Sequence, residues 1–373
     1  MICTSHESFV RIVYILTTLG VGGAEKQVIA LAERMSARGH AVAIVALKHA
    51  EEECPVKLPV LRLNLAKTPL GIWRGLRFAA NFLTLFRPEV LHSHTFPANI
   101  FARLLHLPMD PRGARPMVIN TIHNVYEGGW HRRLIYRVTE GFATAITAVS
   151  SAAATAYAGS SNERRKKVQV VTNGIDLYAF TPDRNRRKRV RTQMQARRNF
   201  IWLAVGRIAP AKDYPNLLNA WTAVRQAHPA SRLWIAGEGD SAQFASEDDH
   251  GIEWLGLRHD IADLMDAADG YVLSSAWEGM PLAVGEAMAM QKPVVVTDVG
   301  GVREMVGDAG LIVAAHDSNG LAEQMLRVMA WDDETRIAQG KSARIRIGEH
   351  FSIEGKVSEW EALYKRVSRA EKA

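Results

Sequence analysis

The sequence predicts an α/β protein made of two parallel-sheet domains in tandem, facing one another across a cleft. Three observations predict it. Short apolar strand runs alternate with amphipathic helix runs from end to end. The glycine-rich and charged loops fall at the carboxyl ends of the strand runs, where open α/β sheets bind ligands. A basic run, Asp183 to Asn199, interrupts the alternation, which then restarts.

In the first half, Arg11 to Leu16 reads as a strand and Gly20-Val21-Gly22-Gly23 as a tight loop. An amphipathic helix follows from about Ala24 to Arg38, stopped by Gly39-His40, and Ala41 to Leu47 is the next strand. Further strands read at Val90–Ser93, Pro116–Ile122, Ala145–Val149 and Val168–Val171. Helices read at Leu70–Phe86, Phe96–Leu107, His131–Phe142 and Ser151–Tyr157.

The 183–199 run carries Arg184, Arg186, Arg187, Lys188, Arg189, Arg191, Arg197 and Arg198. It is too charged for a core, so the boundary is placed in or just before it. This gives an N-terminal domain over 1–182 and a C-terminal domain over 183–355, with 183–199 as a basic linker. Phe200 to Val205 restarts the pattern as a strand, Pro215 to Ala227 is a helix and Arg232 to Ala236 a strand. Gly251–Leu255, Gly270–Ser274 and Val294–Thr297 complete the second set of strands. Pro281 to Met290 reads as a helix, proline being favoured in a first turn.

Composition narrows the class. The hydrophobic fraction of 47% is ordinary for a globular protein. No apolar run reaches the roughly 20 residues of a membrane span, and Met1 to Phe9 does not read as a signal peptide. Cys3 and Cys54 are too few for a disulfide framework, which fits a reducing cytoplasm. The net charge of +7 is uneven: about +9 over 1–182, about +7 over 183–199 and about −9 beyond. Solvated faces are the plain explanation; an anionic partner of the first half, a phospholipid surface or a lipid pyrophosphate, is the sharper one. No base-reading motif or zinc-finger spacing points to nucleic acid.

Four constellations bear on chemistry. The run Trp277-Glu278-Gly279-Met280-Pro281-Leu282-Ala283-Val284-Gly285-Glu286 sets one carboxylate in a loop and another down a helix, with helix-start amides between them. That combination suits a nucleotide sugar: acceptors for sugar hydroxyls, donors for a diphosphate. Arg207 and Lys212, on the loop after the 200–205 strand, supply two cations to balance a diphosphate without a divalent metal. Gly22 and Gly23 offer a phosphate approach or simply a tight turn, since Glu25 breaks the dinucleotide fingerprint. His123 ends a strand, where an imidazole can donate to a sugar or phosphate or serve structure alone. His92 and His94 share a strand face, but no acidic or cysteine cluster joins them to make a metal site. Two aromatic and arginine-bearing stretches read either as core-facing or as interfacial helices. One is Leu70 to Phe86, with Trp73, Leu76, Phe78, Phe82, Phe86, Arg74 and Arg77; the other is Trp130 to Arg137.

Taken in order, these residues resemble the retaining glycosyltransferases of family 4 with the GT-B fold. The resemblance spans nearly the whole chain. It includes Gly22-Gly23-Ala24-Glu25, His92-Ser93-His94, Thr121-Ile122-His123, Ala148-Val149-Ser150 and Asn173-Gly174-Ile175-Asp176. It continues through Val205-Gly206-Arg207 with Lys212-Asp213, Ala236-Gly237-Glu238-Gly239, Glu278 to Glu286, and Gly300-Gly301-Val302-Arg303-Glu304. Met280 stands where phenylalanine is common in the family and Arg303 where proline is common.

The resemblance implies two Rossmann-like domains and a C-terminal helix, 356–373, crossing back to the first. It implies that Glu286 holds ribose hydroxyls, and that Glu278 and His123 face the donor sugar. The amides of Gly279, Met280, Pro281-Leu282 would meet sugar and diphosphate, as far as proline allows. Arg207 and Lys212 would pair with the diphosphate, and Gly23, beside Gly22, would approach the diphosphate or acceptor. Arg258 and Met280 would shape the base and sugar pocket. The implied activity is transfer of a sugar from a nucleotide-diphosphate sugar to a hydroxyl acceptor, without cofactor or metal. A lipid-linked saccharide of bacterial surface polysaccharide synthesis, lipopolysaccharide or capsule, is the expected acceptor. The expected location is the cytoplasm, peripheral on the inner face of the membrane. A nucleotide-sugar epimerase of the same fold and a dinucleotide-dependent oxidoreductase are the competing readings.

Overall fold

The computed structural model describes residues 9–105, 107–109, 115–196, 198–244 and 251–370. Cys3 and Arg197 lie outside them. The chain divides into two units between Asn173 and Gly174, and the residues from Glu354 onward belong to the first. That division falls some ten residues before the expected basic linker, which is therefore part of the second unit.

The first unit is built on seven parallel strands. These are β1 (Arg11–Leu16), β2 (Ala41–Ala46), β3 (Val60–Arg62), β4 (Val90–His94), β5 (Met117–Ile122), β6 (Ala145–Ala148) and β7 (Val168–Val170). Their order is β3-β2-β1-β4-β5-β6-β7, so the order reverses between β1 and β4. Alternation along the strands gives the two faces different chemistry. Val13, Ile15, Ala43, Val45 and Leu91 turn to one side, where Leu76, Ala79, Leu83 and Phe101 cover them. Tyr14, His92 and His94 group together instead, with Trp360 and Tyr364 of the helix Ile353–Ala370 on the His92 ring. Arg34 and Arg38 of the helix Gly23–Ala37 tie that last helix down through Glu354 and Glu361, at 2.8 Å in each case.

The second unit has six parallel strands: β8 (Ile201–Val205), β9 (Arg232–Ala236), β10 (Ile252–Gly256), β11 (Gly270–Leu273), β12 (Val294–Thr297) and β13 (Leu311–Val313). Their order is β10-β9-β8-β11-β12-β13, again with a reversal, here between β8 and β11. Trp202, Leu233 and Val272 meet Trp221 and Leu217 of the helix Tyr214–Ala227, and Leu321 and Met325 of the helix Ser318–Met329. Both units thus have the Rossmann-like plan. Reversal of strand order splays the neighbouring loops apart and leaves a crevice at the carboxyl ends.

The basic run is corrected by the structure. Arg184–Gln193 is a helix, capped by Asp183, whose carboxylate accepts from the amides of Asn185 and Arg186. Arg186 pairs with Asp266 and Arg187 with Asp269; Arg189 reaches Asp263 at 3.3 Å. Arg187 and Arg191 also donate to Ala267 O, at the carboxyl end of the helix Ile261–Ala267, where cations are favoured. Much of the run's charge is internal to the unit.

Candidate active site

The site loops of the second unit gather at the β8/β11 reversal. After β8 the chain turns at Gly206, whose carbonyl accepts from Tyr214 Oη at 2.7 Å. A Cβ on Gly237 would lie 1.9 Å from that same carbonyl oxygen, so only glycine lets the β9 loop lie against the β8 loop. Ile208 N donates to Glu238 O at 2.7 Å and joins the two backbones. A single turn, Pro210–Lys212, then brings Lys212 up to Glu278. Its Nζ donates to Glu278 Oε1 at 2.6 Å, and Ser275 Oγ donates to the same oxygen at 2.7 Å. Asp213 follows with φ of 45° and caps the next helix, its carboxylate accepting from Asn216 N at 3.4 Å.

The Glu278 loop is held from the other side by the β12 loop. Gly300 has φ of 55°, and a Cβ there would stand 2.1 Å from Glu278 O. Gly301 N donates to Gly279 O at 2.7 Å. The helix begins at Leu282 and ends at Ala289; Pro281 precedes it in extended geometry instead of opening it. First-turn amides have no partner farther back in a helix, so those of Leu282 to Val284 are free of intrahelical bonds. Gly279, Met280 and Pro281 are buried, while Glu286 is half-buried one turn along. Arg207 is exposed on the same loop as Lys212. Arg258 is held two-pronged by Asp260, at 2.8 and 2.5 Å, which orients its guanidinium locally.

Gly22, Gly23 and His123 lie in the first unit, and Arg207, Lys212, Arg258 and Glu278 to Glu286 in the second. At the first glycine loop, Gly22 precedes the helix Gly23–Ala37, and a Cβ on it would lie 2.3 Å from Glu25 Oε2. The chain's own carboxylate thus occupies the helix start and complements its dipole. His123, half-buried, shares a bond of 2.9 Å between its Nε2 and His94 Nδ1. Burial lowers the His123 imidazole to about 4 and holds His94 and His92 well below their ordinary value. All three are therefore neutral near pH 7, and the His94–His123 bond needs one ring as donor and the other as acceptor. His92 has both nitrogens engaged, Nδ1 with Tyr364 Oη at 2.6 Å and Nε2 with Thr121 Oγ1 at 2.7 Å. Among the described residues no three His, Cys, Asp or Glu side chains gather as metal ligands.

Sequence reasoning passed over several contributors. Tyr214 and Ser275 hold the two site loops, yet each is a common residue in an unremarkable setting. Glu127 turns inward, accepting from Tyr136 Oη at 2.6 Å and from His123 N at 3.3 Å. Burial raises its carboxyl to about 6. Its only sequence signal is position, four residues after His123 in a loop that follows a strand.

Comparison with known proteins bears on the family and the fold. Residues 21–178 match the Glycosyltransferase Family 4 model, and residues 199–330 match the Glycosyl transferases group 1 model. An Escherichia coli UDP-Gal:alpha-D-GlcNAc-diphosphoundecaprenol alpha-1,3-galactosyltransferase is 26% identical over 302 residues, covering 74% of this chain and 75% of its own. A Mycobacterium tuberculosis glycogen synthase is 27% identical, covering 77% and 71%. Among solved structures, Anabaena Alr3699/HepE in complex with UDP and glucose superposes with a TM-score of 0.78 at 19% identity, covering 95% of this chain and 99% of that one. At that identity the likeness speaks for the fold.

Proposed function

We propose, of a chain that belongs to the GT-B group 1 glycosyltransferases of the family 4 type, that it moves a sugar from a nucleotide-diphosphate sugar to a hydroxyl acceptor with retention at the anomeric carbon. The observation that carries this reading is the Lys212–Glu278 pair, set at the β8/β11 reversal beside the start of the helix Leu282–Ala289. It brings a cation for a leaving diphosphate and an acceptor for sugar hydroxyls within one hydrogen bond of each other.

In the reaction the bond from the anomeric carbon to the diphosphate oxygen breaks, and its electron pair stays on the diphosphate. The acceptor oxygen bonds to the same face of the sugar, and its proton passes to the departing phosphate oxygen. Lys212, exposed Arg207 and the amides of Leu282 to Val284 stabilise the growing negative charge, which oriented donors do most effectively in a partly dry site. These donors are the chain's own, so the proposal is metal-independent transfer. Glu286 holds the ribose, and Glu278 takes sugar hydroxyls. Neutral His123 donates a hydrogen bond to the sugar and carries no charge at neutral pH.

The printed activity of the Escherichia coli relative, and the UDP and glucose bound to the Anabaena protein, support UDP sugars as the first donors to test. The same relative's diphosphoundecaprenol substrate supports a lipid-linked saccharide as acceptor, in bacterial surface polysaccharide synthesis. No helix among the described residues is long and apolar enough to cross a membrane. A peripheral site on the inner face of the membrane is the location this reading entails.

A thermal-shift series with UDP, GDP and ADP, followed by transfer from the matching sugars, tests the reading. A ligand of the folded state raises the melting temperature by mass action, and one nucleotide should do so clearly. No shift with any of the three would remove the donor assignment. Conversion of the donor with no acceptor present would move the protein to the epimerases.

A further inference from the structure

The first unit contains an open concavity that the donor chemistry does not use. It is bounded by the loop after β5, the helix Trp130–Val138 and the helix Ser151–Ala158, with Glu127, Arg132, Arg133, Arg137, Tyr157 and Arg164 on its wall. The arginines differ in availability. Arg132 donates to Glu127 O at 2.7 Å and lies over the Phe96 ring, and Arg164 pairs with Glu140 at 3.1 Å. Arg133 and Arg137, one helical turn apart, are exposed and make no ion pair among the described residues. Glu127 is turned away from them into its bonds with Tyr136 and His123.

The same helix carries a second unusual feature. Trp130, Leu134 and Val138 fall at four-residue spacing and are 76%, 50% and 70% exposed. An apolar row of this kind beside free guanidinium groups fits an amphiphile: anionic head on the arginines, hydrocarbon along the row. A purely polar saccharide would leave the row in water, and a free phosphate would not use it.

We propose that the acceptor binds along the helix Trp130–Val138: Arg133 and Arg137, on the wall of the concavity, bind the diphosphate of a prenyl-linked saccharide, and the exposed row Trp130, Leu134 and Val138, on the same helix outside the concavity, receives its hydrocarbon chain. The proposal rests on the transfer reading and gives its acceptor a chemical class and a place. Arg–phosphate pairing is charge-assisted and can be two-pronged, so the head group fixes the orientation of the chain. The loop that closes the concavity is the one that holds His123, which connects acceptor binding to the residue expected to face the donor sugar.

The test is titration of the full chain with farnesyl diphosphate, in the presence of excess UDP to occupy the donor loops. Farnesol, inorganic pyrophosphate and phosphatidylglycerol vesicles are the comparison probes. Farnesyl diphosphate should bind roughly tenfold or more tightly than farnesol or pyrophosphate, because each of those lacks one half of the match. Replacing both arginines (Arg133→Gln with Arg137→Gln) should weaken it by about tenfold or more. Replacing the row (Trp130→Ala with Val138→Ala) should bring it down to the pyrophosphate level. Ligand-free thermal unfolding followed by far-UV circular dichroism serves as the fold control for each variant, since it reads both units. Equal binding of farnesyl diphosphate by wild type and the arginine variant, or no binding by wild type, overturns the proposal. So does an arginine variant that loses only the vesicles, which would make this a bilayer surface. Absence of a shift with UDP, GDP and ADP alike in wild type would count against the transfer reading alone.

Discussion

The helices Arg184–Gln193 and Trp130–Val138 are both rich in arginine, and the structure treats them oppositely. In the first, Arg186, Arg187 and Arg191 are bound to Asp266, Asp269 and the carbonyls that end a neighbouring helix. In the second, Arg133 and Arg137 stand exposed at the wall of a concavity. A run of positive charge in a sequence is therefore no measure of charge offered to a ligand. The denser run is the one that is neutralised from within, because the aspartates that match it lie about seventy to eighty residues later, at 263, 266 and 269.

If the contrast is real, removing a partner of the engaged helix must cost stability, whereas removing the free arginines must not. Asp269 receives Arg187, Arg191 and the amide of Ile201. Asp269→Ala should lower unfolding stability by roughly 3 kcal/mol, since it leaves largely buried guanidinium charge without a counter-charge. Urea unfolding followed by far-UV circular dichroism would measure it, and a loss within about 0.5 kcal/mol would break the comparison.

Glu127, on the wall of the free cluster, gives a smaller and pH-dependent effect. A carboxyl with an ordinary value of 4.5 titrates near 6 in the folded protein. Between those values the folded state holds more protons than the unfolded state, so this group's contribution makes stability fall as pH rises from 4.5 to 6. Glu127→Gln removes that cost, but its single carbonyl oxygen can accept from Tyr136 Oη or from His123 N and not from both, a loss that does not vary with pH. Relative to wild type, the variant should therefore be about 1–2 kcal/mol better off at neutral pH than at about pH 4. A difference from wild type of equal size at both pH values would contradict the assignment. The smallest effect belongs to the exposed pair. Arg133→Ala with Arg137→Ala should alter unfolding stability by no more than about 0.5 kcal/mol, because exposed side chains without partners have little folded-state interaction to lose. A larger loss would show that these arginines are structural.

Much of this fold is legible in the sequence because it depends on alternation. β1, β9 and β12 occur over Arg11–Leu16, Arg232–Ala236 and Val294–Thr297, the spans that their apolar runs indicate. β3 and β13 are not legible: at three residues each they are too short to show a period, and β7, equally short and also at an edge, is read only because Val168, Val170 and Val171 cluster there. The helix Arg184–Gln193 escapes as well. Its polarity reads as linker, while its stability comes from a cap and from distant aspartates that no local window contains. The helix Pro69–Phe86 resolves an ambiguity both ways, with Leu76 and Leu83 in the core and Trp73 and Phe78 exposed.

The candidate site divides along the same line. Lys212 and Glu278 stand out in sequence because charge at a strand end beside glycine is unusual, and they meet at 2.6 Å. Gly237 and Gly300 belong to recognisable motifs, but their role, letting one loop backbone lie against another, exists only once the sheet has brought β9 to β8 and β12 to β11. Arg133 and Arg137 show in the sequence only as members of the aromatic and arginine-bearing stretch Trp130 to Arg137. What distinguishes them from Arg132 and Arg164 is that they make no ion pair among the described residues, a property of the folded unit.

The most direct test of the donor site is the turnover of Lys212→Ala with a UDP sugar and a diphosphate-linked acceptor under saturating conditions. If Lys212 holds the charge that develops on the departing diphosphate, turnover falls by about 10²-fold or more in a variant that is still folded at the assay temperature, although it melts lower for want of the Glu278 partner. Turnover close to wild type in a folded variant would contradict the account.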